Sequence, residues 1–201
     1  MSNSAFTSNH PPARKLRRES GFTLIELLSV ITVIAILLTI GVPSFKFVTS
    51  ANRASAEING LLGDMQLARA EAIREGQTVT ICASNDQATC AGGVATTWNI
   101  GWIVFSDVNN SGIFVPGTDA YIKVQKTFSG TDTLLADQGI NTVTFSRDGF
   151  AMSLPNPVTF TLHDASAPPN PNFTRCLSLT IVGALSTQIG GQLTAEGPPC
   201  T

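Results

Sequence analysis

From Phe22 to Val42 the chain reads FTLIELLSVITVIAILLTIGV, an apolar run interrupted by a single ionisable residue, Glu26. As a helix rising about 1.5 Å per residue, such a run spans roughly 30 Å, the thickness of a bilayer's hydrocarbon core. It predicts one membrane-crossing helix over 22–42. Pro43 lacks an N–H and crowds the carbonyl four residues earlier, which predicts a kink there without an end to the helix. Further on, Ile58, Leu61, Leu62, Met65, Ala68 and Ala72 recur at three- and four-residue spacing, while Arg53, Glu57, Asp64, Arg69, Glu71 and Arg74 occupy other faces. That stripe predicts an amphipathic helix over 43–75 packed on its own domain, with Gly76 suited to the position just past its end.

After Gly76 the period changes to two. Val158, Phe160 and Leu162 alternate with Thr159, Thr161 and His163, and Leu177, Leu179 and Ile181 alternate with Ser178 and Thr180. Further strands are expected over 78–83, 101–106, 121–128 and 140–146. Turn-rich stretches separate them, among them Asn109 to Gly112, Pro116-Gly117, Asp148-Gly149 and Ala167 to Pro171. One long helix followed by short strands predicts an α+β fold, the helix covering one face of an antiparallel sheet in a β-rich head over 76–201.

Charge adds a direction. Residues 1–21 carry Arg14, Lys15, Arg17 and Arg18 against Glu19, a net +3, so the formal −2 of the whole chain leaves −5 for the rest. Basic residues ahead of the apolar run place the N-terminus in the cytoplasm and export everything after Val42. An ordinary secretory signal has a shorter apolar stretch and an Ala-x-Ala-like site, neither of which is found here. An uncleaved signal anchor carrying an unrelated periplasmic binding module is the alternative reading. Against it stands Glu26, since a carboxylate at such depth costs about 2.5–3.5 kcal/mol on insertion scales and marks a group that needs a partner.

Ser20-Gly21-Phe22-Thr23-Leu24-Ile25-Glu26 resembles the type IV prepilin motif, in which a membrane peptidase cuts after the Gly and methylates the new N-terminal Phe. The resemblance implies a leader over 1–21, cleavage between Gly21 and Phe22, and methylation of Phe22. It also implies a partner for Glu26, the N-terminal amine of a neighbouring subunit in a filament. N-methylation leaves that amine charged. Paired opposite charges can be buried where either alone would be expensive. The head resembles the GspH/FimT branch of the pilin-like proteins through Trp98-x-x-Gly101-Trp102-x-x-Phe105-x-Asp107-x-Asn109, Phe145-Ser146-Arg147-Asp148-Gly149 and the late Cys176 strand. That resemblance implies a minor pilin of a type IV pilus or a minor pseudopilin of type II secretion, at or near a filament tip. Its implied partners are other pilins or pseudopilins, the prepilin peptidase and an inner-membrane assembly platform. The implied location is single-pass in the bacterial inner membrane with a periplasmic head, and then the filament; between the two machines the sequence leans slightly to the pilus.

Export places four cysteines in an oxidising compartment, which favours two disulfides with three possible connectivities. The local pairing, Cys82 with Cys90 and Cys176 with Cys200, is the expected one. Asp107 to Gly112 superficially matches a calcium loop, but its twelfth position is Thr118 where a bidentate Glu is needed, so a hairpin turn is expected instead. Trp98 and Trp102 are expected to fill the core. His163 falls on the polar side of its strand, and His10 lies in the leader. With no nucleophile motif, phosphate loop or metal-ligating cluster, a non-enzyme with neither metal nor cofactor is expected. Nucleic acid is disfavoured as a partner. DNA-binding FimT-like pilins carry Gly-Arg-x-Arg after the late Cys strand, and this chain has Gly183-Ala184-Leu185-Ser186 in an acidic head.

Overall fold

The computed structural model describes residues 21–92, 97–152, 154–165, 168–192 and 200. The expected leader up to Ser20 and Ala167 of the expected proline-rich turn lie outside them. Helix α1 runs Leu24–Glu75, its bounds taking in Pro43. It stops at Gly76, which takes φ +69° while its N–H donates to the Ala72 carbonyl at 3.0 Å. The chain divides within this helix into two units, Met1–Ser44 and Phe45–Thr201. In the first, every residue from Gly21 to Val42 is exposed.

The second unit is the head. Its strands among the described residues are β1 Val79–Ala83, β2 Trp102–Ser106, β3 Ala120–Gln125, β4 Thr133–Ala136, β5 Thr142–Phe145, β6 Ala151–Met152, β7 Val158–His163, β8 Arg175–Leu179 and β9 Leu185–Ile189. They form two antiparallel sheets, in the orders β3-β2-β1-β5-β6 and β4-β7-β8-β9, where the sequence predicted one. Both sheets turn alternate residues onto α1. Val79, Ile81, Trp102 and Val104 from the first, and Leu134, Val158, Phe160, Leu162, Leu177 and Leu179 from the second, share one buried core with Ala54, Ile58, Leu61, Met65, Ala68 and Ala72. Trp98 joins the two sheets. Its ring is 6.5 Å from Trp102 on one side and 5.1 Å from Phe160 on the other, edge-on, a favoured aromatic geometry.

The apolar runs of β1 and β2 are buried on both faces. On the face away from α1, Cys82, Ile103 and Phe105 form a second small cluster under Cys90 and Phe114. Strand ends depart from expectation where turns intervene. The late strand lies over 175–179 rather than 177–181, because Thr180 to Ala184 closes a turn in which the Gly183 N–H donates to the Thr180 carbonyl at 2.9 Å. Ile181 is therefore exposed on that turn. β3 ends at Gln125, after which Thr127 Oγ1 donates to the Ile100 carbonyl at 2.7 Å and draws the chain off the sheet. β4, β6 and β9 carried no period strong enough to be expected. Asp64 is also a correction: set on the polar face of the helix by periodicity, it is 2% exposed.

Candidate assembly segment and the head that carries it

Gly21 and Phe22 lie ahead of α1, and Thr23 caps it. The Glu26 N–H donates to Thr23 Oγ1 at 3.3 Å, and the Leu27 N–H to the Thr23 carbonyl at 3.1 Å. Thr23-x-x-Glu26 is the residue order of a capping box, and an acid in the first turn also suits the positive end of the helix dipole. Periodicity alone missed this local role, although the three-residue spacing was there to be read. Along the stem the hydroxyls bond back into the helix: Ser29 to the Glu26 carbonyl at 2.8 Å, Thr32 to Leu28 at 2.8 Å and Thr39 to Ile36 at 2.7 Å. A segment surrounded by hydrocarbon has to satisfy its polar groups in this internal way. Glu26 then stands as the one ionisable side chain between Gly21 and Val42, exposed among Phe22, Ile25 and Val30.

Pro43 lies within the residues assigned to α1. Apolar exposure continues past it at Phe45, Phe47 and Val48, and burial begins at Ala54.

In the head, the charged residues of α1 reach across to the sheets. Asp64 accepts from Trp102 Nε1 at 2.8 Å and from Lys123 Nζ at 2.5 Å, tying the helix to β2 and β3. Arg69 spans two turns, donating from Nε to the Gly149 carbonyl and from Nη1 to the Gly183 carbonyl, both at 2.9 Å. A buried carboxylate or a guanidinium with this many partners acts as a fixed crosslink. Cys82 is bonded to Cys90 and Cys176 to Cys200, with Cα atoms 5.5 and 5.7 Å apart. Asp86, within the shorter disulfide loop, accepts from the N–H groups of Ala88 and Thr89 and from Thr89 Oγ1, bonds that hold its carboxyl far below the usual carboxylate range.

Asp107 is fully buried and organises the β2–β3 connection. It accepts from Ser111 N and Gly112 N at 2.8 Å each and from Thr80 Oγ1 at 2.8 Å, while Asp119 accepts from Val108 N and Val115 N. These two carboxylates are satisfied by backbone within the loop, which is longer and more tightly tied than the simple hairpin turn expected. Asn110 and Gly112 do take positive φ. His163 is half-buried, with Nδ1 3.5 Å from Thr174 Oγ1. Among the described residues, no three His, Cys, Asp or Glu side chains are grouped to hold a metal ion.

The family model described as Type II transport protein GspH matches residues 57–184, and the one described as Prokaryotic N-terminal methylation motif matches residues 16–42. The chain belongs to the GspH family. Two crystal structures of the type IV minor pilin FimU from Pseudomonas aeruginosa (strain PAO1) share the fold. One is 19% identical with a TM-score of 0.50, covering 71% of this chain and 96% of that chain; the other is 18% identical with a TM-score of 0.51, covering 76% and 98%. The minor pseudopilin EpsH from the type 2 secretion system of Vibrio cholerae aligns at 14% identity with a TM-score of 0.45, covering 70% of this chain and 99% of that chain. No curated protein matches the chain.

The motifs that mark this GspH family head have structural work to do. Trp98 is fully buried and donates from Nε1 to the Ile140 carbonyl at 3.0 Å. Gly101 takes φ +103°, and a Cβ there would meet the Gln125 carbonyl oxygen at 2.5 Å, so β2 and β3 could not approach with a larger residue. Trp102 meets Asp64, Phe105 fills the outer cluster and Asp107 gathers its loop. The Phe145 to Gly149 motif closes the β5–β6 turn under Arg69. Family and fold are those of structural pilin and pseudopilin subunits.

Proposed function

We propose that this GspH family chain is a minor pilin or pseudopilin, cut between Gly21 and Phe22, methylated at Phe22 and held in the inner membrane by residues 22–42 until an assembly platform moves it into a short filament, at or near the tip. The observation that carries this reading is a stem exposed and apolar on every side with one acid, Glu26, four residues after Phe22. Removing so much apolar surface from lipid into water would be prohibitive, whereas neighbouring helices can replace the lipid at little cost. In the packed bundle Glu26 pairs with the N-terminal amine of the next subunit and sets its register. The reading includes a kink of the helix at Pro43, whose ring crowds the carbonyl four residues earlier. DNA reception has less support, since Gly183 is followed by Ala184 and Ser186 without an arginine. The head's cations are largely engaged as well, Arg53 with Asp132, Lys123 with Asp64 and Arg74 with Glu71 and Glu75.

The test is Glu26→Val. Membrane insertion and Phe22 processing should stay near wild-type levels, and recovery of the subunit in sheared filaments should fall at least tenfold. Wild-type incorporation of Glu26→Val, or a native protein whose N-terminal sequence still begins ahead of Phe22 in cells with active prepilin peptidase, would refute the proposal.

A further inference from the structure

Three ionisable groups, Arg53, Glu57 and Asp132, meet where α1 joins the β3–β4 connection, and filament assembly as proposed above makes no use of them. Arg53 donates from Nε and Nη2 to the two oxygens of Asp132, each at 2.6 Å, and the Asp132 side chain is 1% exposed. Gly130 lies against the guanidinium, where a Cβ would be 3.5 Å from Arg53 Cζ. One turn further along α1, the Glu57 carboxyl faces that of Asp132, and its Oε2 is buried without a hydrogen-bond partner. The cleft beside it is walled by Gly60, Trp102, Gln125, Thr127, Phe128 and Ser129, none of which carries a charge. The ionisable groups bearing on Glu57 are thus Arg53 from its own helix and Asp132 from the connection, with Asp164, beyond β7, acting on Arg53.

With both carboxyls ionised, one guanidinium would serve two acids, and a carboxylate oxygen would sit dry and unbonded, which is expensive. A proton on Glu57 removes one charge and makes its carboxyl a donor, turning repulsion into a hydrogen bond. We propose that Glu57 holds a proton shared with Asp132 and so fastens residues 129–133 to α1, forming a latch that loosens as the surroundings turn alkaline. Burial first, then the charge and hydrogen bond of Asp132, push the Glu57 carboxyl from its ordinary 4.5 up to about 7, with Arg53 opposing. Because the folded value is the higher one, the stabilisation is complete below about 4.5 and is lost as pH rises through about 7.

The experiment uses the full chain in detergent micelles with carboxyl-carbon-labelled glutamate. One glutamate carbon should titrate near pH 7, and exchange protection of the Asp132 to Leu134 amides, corrected for intrinsic rates, should fall roughly tenfold between about pH 5 and 8, a figure discounted for the half-exposed position of Glu57. Glu57→Gln should remove that resonance and flatten the protection profile. Should Glu57→Gln fail to fold, Asp132→Asn is the second variant, and it should move the same resonance down toward 4.5. A resonance near 7 that survives Glu57→Gln, a wild-type set titrating wholly near 4.5, or protection independent of pH overturns the latch.

Discussion

An alanine at Gly183 should do much more damage than one at Gly76, although both glycines take the left-handed backbone, at φ +77° and +69°. The left-handed conformation alone costs an alanine about 1 kcal/mol. At Gly76 the added Cβ meets nothing within 4 Å, so that strain is the whole effect. At Gly183 the Cβ would stand 2.3 Å from the Gly149 carbonyl oxygen and 3.1 Å from Arg69 Nε. The oxygen cannot step aside cheaply. It belongs to a turn closed by Gly149 N–H to the Ser146 carbonyl at 2.8 Å and Ser146 N–H to the Phe150 carbonyl at 2.9 Å, and Arg69 holds it from the other side at 2.9 Å. Forcing the turn away gives up a charge-assisted hydrogen bond worth about 1.5–3 kcal/mol, for a total of about 2.5–4 kcal/mol. In a protein of this size about 1 kcal/mol moves the thermal midpoint by roughly 2–4 °C, so Gly183→Ala should lower it by about 10 °C and Gly76→Ala by about 3 °C. Thermal unfolding of the full chain in detergent micelles, followed by tryptophan fluorescence, measures both. Equal shifts for the two variants would refute the close approach as the cause. So would a Gly183→Ala penalty undiminished in an Arg69→Ala background, because neighbours that share a contact should couple.

Two further outcomes follow from the head's crosslinks. Asp64→Ala should strand the buried Trp102 indole N–H and free Lys123, lowering stability by about 2–4 kcal/mol in urea unfolding, whereas Asp64→Asn should lose less than half of that because an acceptor remains; indistinguishable variants would count against the crosslink. The two disulfides close loops with sequence separations of 8 and 24, for which chain entropy gives about 2.6 and about 3.5 kcal/mol, so the Cys176→Ser/Cys200→Ser pair should destabilise more than Cys82→Ser/Cys90→Ser in the same assay. The reverse order would contradict the entropic account.

What could be read in the sequence followed from period and composition. The burial of Ile58, Leu61, Met65, Ala68 and Ala72 was legible because a helix repeats its inward face every three to four residues. The two-sided burial of β1 and β2 was partly legible, since their runs are apolar without alternation. Asp64 was misplaced for a physical reason. Periodicity treats any carboxylate as outward-facing, while a partner 38 residues away in sequence, the Trp102 indole, makes inward placement affordable. β9 escaped notice because Leu-Ser-Thr-Gln-Ile is half-exposed on both faces, and β6 because two residues carry no period. The split into two sheets depends on where Trp98 stands between Trp102 and Phe160, a long-range fact that local patterning does not contain.

The stem poses a different problem, and the change of pattern within α1 addresses it. A helix that packs only on its own domain needs one apolar stripe, and from Ala54 to Ala72 that is what α1 has. From Phe22 to Val42 the exposed face is apolar all round, more than any single packing partner could cover. Such a surface is consistent with two successive surroundings, lipid and then several neighbouring helices, both of which enclose the helix on every side. On the reading proposed above, Glu26 would be a burden in the first and an asset in the second, where a neighbour's amine would meet it. The same asymmetry makes Glu26→Val the informative substitution: it should leave membrane insertion near wild-type levels while removing the one group on residues 22–42 that, on the proposed reading, distinguishes a correct neighbour from lipid.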